Sequence, residues 1–508
     1  MAAVVMWIPD SVREILQIYG LTLQSFLVVC TAVILVCFLL KRGRNLPPYP
    51  AGRVPVLGHL LALGRAPHLK LTAWGQQYGD VFTVRMGMED VVVLNGYTAV
   101  KDALVDRSEL FASRPPNCLF DAVTGFGKDL ASVPWGTAIK QRRRFTISAL
   151  KVLGMKVGTG SIEEKIREEA SCLRNRVAEY DRKPFDVAYD LNVAVANVVC
   201  SMVIGRRYDY RDETFRGLSD AVVTVAVKLA AGQIISFFPW LRFVPGVNRA
   251  RVELLEQNAK LQKMLGEELA KHRENLDREN PRDFLDFGLL ELEKHEKVEG
   301  LTGDIVMHMA QNLFLAGTET ASNTLRWSLL YMVLHPTVQR KVQQELDAVV
   351  GEGLPTLSHR SQLPYVNACL LEVMRIRPLL PVALPHATTQ DVKVCGYDIP
   401  KDTQVLVNLH SIHKDPAYWP DPDRFDPGRF LDAEGNVINK PESFLPFSAG
   451  RRVCPGEQLA GMELFLFFST LLQSFTFSPP EGAPAPHSDG VFGLTLTSPP
   501  FELCAIPR

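Results

Sequence analysis

The segment Phe447-Ser-Ala-Gly450-Arg-Arg452-Val-Cys454-Pro-Gly456 restricts the architecture of this chain more than any other ten residues. Gly450 allows a tight turn with φ > 0, and Gly456 lets a flat, bulky group lie close to the backbone. Pro455 fits the first position of a following helix, where its missing N–H leaves nothing unpaired. The N-terminus of that helix would aim free N–H groups and a positive dipole end at the Cys454 sulfur, which lowers the thiol pKa and favours the thiolate. Arg452 adds a fixed cation two residues away, suited to an acidic group on whatever the sulfur binds. The plainer alternative is a buried structural cysteine at a helix start.

The remaining cysteines do not form a metal or disulfide framework. With Cys454 counted, nine are scattered over 508 residues without C-x-x-C spacing, which reads as a reducing compartment. Lys+Arg 55 against Asp+Glu 56 gives a net charge of −1, which argues against a general nucleic-acid binder. Between Ile15 and Leu40 there is no charged residue, and about 20 apolar residues suffice to cross a bilayer. Lys41, Arg42 and Arg44 follow, so the positive-inside rule puts the long C-terminal part in the cytoplasm. The expected order is a short lumenal segment 1–14, a transmembrane anchor 15–40, a basic and proline-rich linker 41–52, and one body over 53–508. A cleaved signal peptide fits less well, because the apolar run is long and lacks a small-residue cleavage site.

Within the body, Val81 to Met86 and Val91 to Leu94 read as strands around a turn at Gly87-Met-Glu-Asp90. Helical spacing dominates roughly 97 to 350, with clear patterns over Ser161–Val177 and Val252–Asn275 and a loop over Asn275–Asp283. Short strands are expected at Val392–Val394, Tyr397–Ile399 and Val405–Leu409. No composition break divides 50–508.

Two helical segments carry unusual residues. Ile305 to Leu334 reads as one apolar helix ending at His335-Pro336, with Ala316-Gly317-Thr318-Glu319-Thr320 at its centre. A central glycine costs about 1 kcal/mol relative to alanine. Thr320 can hydrogen-bond a backbone carbonyl, and Glu319 beside it supplies an acid next to an alcohol. A kinked helix with a solvated glutamate is the plainer alternative. In Glu372-Val-Met-Arg375 an i,i+3 pair lies among apolar neighbours. Exposed pairs of this kind contribute only ~0.2–0.5 kcal/mol, whereas a buried one demands further partners. Ile234, Ile235, Phe237, Phe238, Trp240 and Phe243 form an apolar and aromatic patch whose default explanation is a core helix.

These segments resemble the cytochrome P-450 superfamily. Phe447-x-x-Gly450-x-Arg452-x-Cys454-x-Gly456 is similar to its haem-binding loop, and Ala316-Gly317-Thr318-Glu319-Thr320 to its oxygen-activation motif. The resemblance implies a mainly α fold with a small β part, a single large domain behind an N-terminal transmembrane helix. It implies haem b bound through Cys454, and a proton relay of Glu319 and Thr320. Arg114, His386, Arg143 and Arg452 match positions that meet haem propionates, with Ile139 where tryptophan is usual; Trp135 stands four residues earlier. Phe447, Gly450, Gly456, Ala316 and Gly317 would border the cofactor. Glu372, Arg375 and Arg429 match a bracing triad, with Gly428 where glutamate is more usual. Val382, Ala383, Leu384 and Leu494 are candidates for an apolar substrate pocket.

Phe238-Pro-Trp240, Leu325-Arg-Trp327 and Phe444-Leu-Pro-Phe447 look closest to the animal microsomal family 2. That resemblance implies a monooxygenase of the endoplasmic reticulum membrane acting on lipophilic small molecules such as fatty acids, steroids or xenobiotics. It also implies that the Ile234–Phe243 region dips into the membrane. The segment from Asn275 to Phe284, together with Phe492-Gly-Leu-Thr-Leu496, resembles fatty-acid hydroxylases, and the tail from Phe501 resembles drug-oxidising relatives, so the substrate stays open. No G-x-G-x-x-G fingerprint is present. Electrons are therefore expected from NADPH through NADPH–cytochrome P-450 reductase, with cytochrome b5 as an occasional second donor. Lys140, Arg142 and Arg451 are candidates for the basic docking face. A peroxide-using or isomerising haem-thiolate enzyme, or a non-catalytic haem or ligand-binding protein, would need no relay.

Overall fold

The longest apolar pattern in the chain becomes the central element of the fold. In the computed structural model, which describes residues 45–155, 161–244, 246–294 and 301–508 together with Ser25, Val28, Val29, Thr31 and Ala32, it is a helix over Gly303–Leu334. Thr302 caps it by accepting the Ile305 N–H, and Phe314, Leu325, Trp327 and Leu330 are buried along it. The anchor expected over 15–40 lies outside the described residues apart from the five just named. Among the described residues no helix is long and apolar enough to cross a membrane.

In chain order the helices that frame the site are α1 (Cys118–Thr124), α2 (Thr137–Met155), α3 (Ala188–Val203), α4 (Glu213–Ala231), α5 (Gln233–Phe237), α6 (Val247–Glu274), α7 (Gly303–Leu334), α8 (Pro364–Ile376) and α9 (Glu457–Ser474). Helix α3 packs along α7, and α9 lies against the opposite side of the core with Phe465, Leu466, Phe467 and Phe468 buried. Each such side chain contributes roughly 1.5–3 kcal/mol by leaving water.

A four-stranded sheet joins sequence-distant parts of the chain: β1 (Val81–Met86), β2 (Glu89–Leu94), β3 (His386–Ala387) and β4 (Gln404–Val407), in the order β1-β2-β4-β3. β1 and β2 are antiparallel, with Met86 opposite Glu89, so the turn is only Gly87-Met88 and the second strand starts two residues earlier than expected. β4 runs parallel to β2, with Val91 opposite Gln404. It stops at Val407 because Leu409 opens a short helix, Leu409–His413. The sequence reading missed three elements: β3, the pair Phe475–Ser478 with Cys504–Pro507, and the pair Val491–Phe492 with Leu496–Thr497. Two-residue strands carry no alternation to read.

Two expectations change on packing. The helix expected from Val252 starts at Val247. The aromatic patch after α4 is not a core helix: Ile235 and Phe238 are buried, but Trp240 is 59% and Phe243 75% exposed. The loop after α6 is as expected. His272 closes it, with Nδ1 donating to the Glu268 carbonyl at 2.7 Å and Nε2 meeting Asp283 Oδ2 at 2.8 Å. Both ring nitrogens must therefore carry protons, and the Asp283 carboxylate raises the His272 pKa against the opposing cost of burial.

Glu463 in α9 is fully buried, and its Oε1 has no hydrogen-bond partner. Burial pushes its pKa from an ordinary 4.5 up to about 8. The folded state therefore binds a proton that the unfolded chain releases. Stability from this group is full below the unfolded pKa and declines as pH rises toward the folded one. Glu463→Gln is expected to raise stability at neutral pH by ~2 kcal/mol and to flatten the melting profile between about pH 5 and pH 8. Thermal melts of both proteins across that window test this.

Candidate active site

The glycine turn of the cysteine loop is sterically obligatory. Gly450 has φ +72°, and a Cβ there would lie 1.7 Å from the Leu104 carbonyl oxygen. The loop is further pinned by the Arg451 N–H donating to Ser108 Oγ at 2.7 Å and the Cys454 N–H donating to the Phe447 carbonyl at 3.1 Å. Helix α9 begins at Glu457 with Gly456 as its cap, so Pro455 precedes the helix instead of opening it. The Cys454 thiol is open to a cavity of about 360 Å³ and enclosed by protein elsewhere. The N–H groups of Gly456 and Glu457 and the Arg143 cation pull its pKa down as expected, but burial outweighs them and the net direction is up. A thiolate at this position therefore needs a further positive partner in the cavity.

Ala316 and Thr320 line that cavity from α7, and Phe447 lines it from the loop. Thr320 donates its hydroxyl to the Ala316 carbonyl at 2.7 Å. Gly317 does not line the cavity. A Cβ there would lie 3.0 Å from Val199 Cγ2, so this glycine sets the approach of α3 to α7. Gly450 and Gly456 likewise shape the loop without lining the space. Glu319 is buried, and burial raises its pKa. It accepts from Thr495 Oγ1 at 2.5 Å and from Asn323 Nδ2 at 2.8 Å. Neither partner was marked in the sequence: Asn323 sits one helical turn on from Glu319, and Thr495 is 176 residues away.

A group of basic side chains borders the same cavity. Arg114 donates to the carbonyls of Ala131, Leu384 and Pro385. Arg452 donates to those of Ala112, Leu130 and Val133, and Arg143 to that of Val453 at 2.6 Å. Carbonyls satisfy their hydrogen bonds but not their charge. Burial and mutual repulsion push Arg114 down to about 9 and Arg452 to about 10, with Asp129 a partial counterweight. His386 donates Nδ1–H to the Phe111 carbonyl at 2.7 Å, and burial beside Arg114 holds it neutral, at about 3. Its Nε2 is then a lone pair; an anion placed there would draw a proton and gain a donor. Ile139 is fully buried in the core. Trp135 does not line the cavity, but its ring lies 5.5 Å from the Arg452 guanidinium carbon and its indole N–H has no partner.

This donor set fits haem b. A cluster of buried cations short of counter-charge suits two propionates, and a sulfur open to the same space suits an iron ligand.

Behind the loop, Glu372 and Arg375 are fully buried and doubly hydrogen-bonded, at 2.7 and 2.8 Å, and Arg429 lies 3.4 Å from Glu372. The structure thus brings the three expected residues together. It adds His413, whose carbonyl accepts from Arg375 at 2.8 Å and whose Nε2 accepts the Leu445 N–H at 2.9 Å. No local pattern marked His413; only its burial does. The basic face is smaller than expected. Arg142 is buried and donates to the Gly127 and Asp129 carbonyls, while Lys140 and Arg451 remain exposed around Glu109.

A second, larger cavity of about 640 Å³ borders the first and shares Arg114, Ala383, Leu384, Glu319 and Leu494 with it. Val382 lines the outer one only.

Comparison with known proteins agrees with this geometry. The family profile described as Cytochrome P450 matches residues 47–505. The chain is 36% identical to Cytochrome P450 2J2 of Homo sapiens over 494 residues, covering 96% of each. It is 40% identical to Cytochrome P450 2D6 of Homo sapiens over 495 residues, covering 95% of this chain and 98% of that one. It is 39% identical to the Vitamin D(3) 25-hydroxylase of Sus scrofa, covering 97% and 99%. With its profile matched almost end to end and its similarity to animal family 2 members spanning both chains, the protein belongs to the cytochrome P450 family and is a haem b monooxygenase.

Proposed function

We propose that the protein hydroxylates lipophilic small molecules at a haem held by Cys454, using electrons from NADPH delivered by NADPH–cytochrome P-450 reductase, with cytochrome b5 as a second donor. The observation that carries this reading is the placement of Cys454, Thr320 and the Arg114–Arg143–Arg452 cluster around one cavity. Haem bound there supplies reductive activation of dioxygen and insertion of one oxygen atom into a C–H bond, the other leaving as water.

The chain's own residues supply position and protons. Arg114, Arg143, Arg452 and His386 would hold the propionates. Glu372, Arg375 and Arg429 would brace the loop that carries the sulfur. The Thr320 hydroxyl, oriented by the Ala316 carbonyl, lines the cavity, and the buried Glu319 carboxyl, which lines it too, would hold a proton for delivery into that space. Val382, Ala383, Leu384 and Leu494 would confine an apolar substrate while excluding water. Lys140 and Arg451 are the exposed cations left to meet an acidic electron donor.

The apolar run 15–40 and the basic residues behind it support a single-pass anchor in the endoplasmic reticulum membrane, with the 53–508 body on the cytoplasmic side. Exposed Trp240 and Phe243 favour contact of that body with lipid.

The test is a reconstituted system of full-length protein, reductase and NADPH. The reduced carbon monoxide complex should show the red-shifted Soret band of thiolate ligation, and product should require NADPH. Thr320→Val should lower product formation by ~10²-fold while reduced oxygen is released as peroxide. Product from added peroxide alone, unchanged in Thr320→Val, would refute the reading.

A further inference from the structure

The outer cavity is lined mainly by apolar side chains, and among the described residues four charged ones border it: Glu89, Arg114, Asp121 and Glu319. Two of these are already committed. Arg114 donates from Nε and Nη1 to three carbonyls and lies beside the Arg143 and Arg452 cations of the inner cavity, whose shared charge the haem propionates would meet. Glu319 is bound by Thr495 and Asn323.

The other two are carboxylates that form no salt bridge among the described residues. Asp121 accepts the Asn117 N–H at 3.0 Å. Burial raises its pKa, as does Asp129, and no basic side chain opposes them. Glu89 stands at the start of β2; the neighbouring Arg85 is engaged with Asp90 at 2.9 Å. Glu89 is exposed as the first residue of that strand; partial desolvation raises its pKa, with Arg85 acting against it. Among the described residues, a ligand in this space therefore meets two carboxylates without a salt bridge and a single cation, Arg114, which also borders the inner cavity and would be held by haem there.

We propose that this cavity selects lipophilic amines, entering as ammonium cations, over lipophilic carboxylates, and that Asp121 and Glu89 are the residues that discriminate. The inference rests on the monooxygenase reading above and narrows its substrate class. The physics is differential. An apolar tail gains the same burial whatever its head group, so the head group decides the order. An ammonium ion is attracted by both carboxylates, a carboxylate is repelled by both, and an alcohol is indifferent. This sets the charge of the lining against the likeness of the segment from Asn275 to Phe284 to fatty-acid hydroxylases. That segment contributes no residue to either cavity, whereas Phe492, Gly493, Leu494 and Thr495 of the second segment sharing the likeness line the outer one and add no charge to it.

The experiment uses full-length ferric holoprotein in neutral detergent and three ligands sharing one dodecyl chain: dodecyltrimethylammonium, dodecan-1-ol and dodecanoate. The quaternary head cannot coordinate iron, so the spin-state shift reports occupancy of the cavity alone. The expected order of affinity is ammonium, alcohol, carboxylate, with about tenfold between the first and second and again between the second and third. Added salt should compress that order. In the Asp121→Asn, Glu89→Gln double variant both ratios should fall to within about twofold. Dodecanoate binding as tightly as the ammonium ligand, or a double variant that keeps the order, overturns the proposal. Absence of the red-shifted carbon monoxide band would overturn the monooxygenase reading and this proposal with it; the band present with the order reversed would remove the substrate selection alone.

Discussion

Cys454→Ser is expected to abolish the red-shifted carbon monoxide band and to lower NADPH-dependent turnover by at least ~10²-fold, while the polypeptide stays folded. Serine matches cysteine closely in size, and the position tolerates it sterically. The side chain opens to the cavity, and the loop around it is held by backbone contacts from Cys454 N–H to Phe447 and from Arg451 N–H to Ser108. What changes is the donor. Even with the N–H groups of Gly456 and Glu457 and the Arg143 cation aimed at it, burial holds the free thiol above its ordinary pKa. An alcohol starts several units higher and stays protonated. Haem would still be drawn in by Arg114, Arg143 and Arg452, so the variant separates retention of the group from the chemistry of its axial bond. Far-ultraviolet circular dichroism, haem content and the reduced carbon monoxide spectrum measure the three quantities independently. A variant that keeps the parent spectrum and turnover would remove Cys454 from the reaction.

The parts of this site legible in the sequence are those in which one short segment holds both a chemical group and its geometry. Gly450 and Cys454 lie four residues apart, and Ala316 to Thr320 fit within one helical turn. Such spacing survives folding. The same segments mislead where the partner is remote. Gly317 looked like room beside a cofactor because the helix opposite it was invisible; Val199, 118 residues earlier, fills that side. Among the three consecutive arginines at 142 to 144, residue type alone does not tell which faces the cavity; the resemblance singled out Arg143. In the helix they diverge, with Arg142 buried, Arg143 at the cavity and Arg144 exposed. The helix start after Cys454 slipped by two residues because Pro455 and Gly456 both tolerate pre-helical geometry. The two-residue strands, Thr495 on Glu319 and His413 under the loop depend on contacts that tertiary packing alone creates.

Glu372→Ala should be among the most destabilising single substitutions in the body, at about 3–5 kcal/mol, because it strands a fully buried guanidinium. Arg375 has no exposed surface, and both of its bonds to Glu372 would be lost. The same substitution removes the acceptor for the Asp426 N–H and the counter-charge of Arg429. Replacing both members by apolar residues of similar size, Glu372→Leu with Arg375→Met, separates two roles. If the pair serves stability alone, the double variant should recover most of the loss, as buried pairs replaced by hydrophobes commonly do. The geometry argues for a second role. Arg375 also holds the carbonyls of His413 and Pro422, and His413 Nε2 in turn accepts the Leu445 N–H two residues before Phe447, where the cysteine loop begins. The double variant should therefore regain melting temperature yet lose haem more readily than the parent, because the loop that presents Cys454 then loses the hold that Arg375 exerts through His413. Melting followed by circular dichroism and haem transfer to an acceptor apoprotein give the two readouts. Equal recovery of both would make the buried pair a stability element with no hold on the cysteine loop.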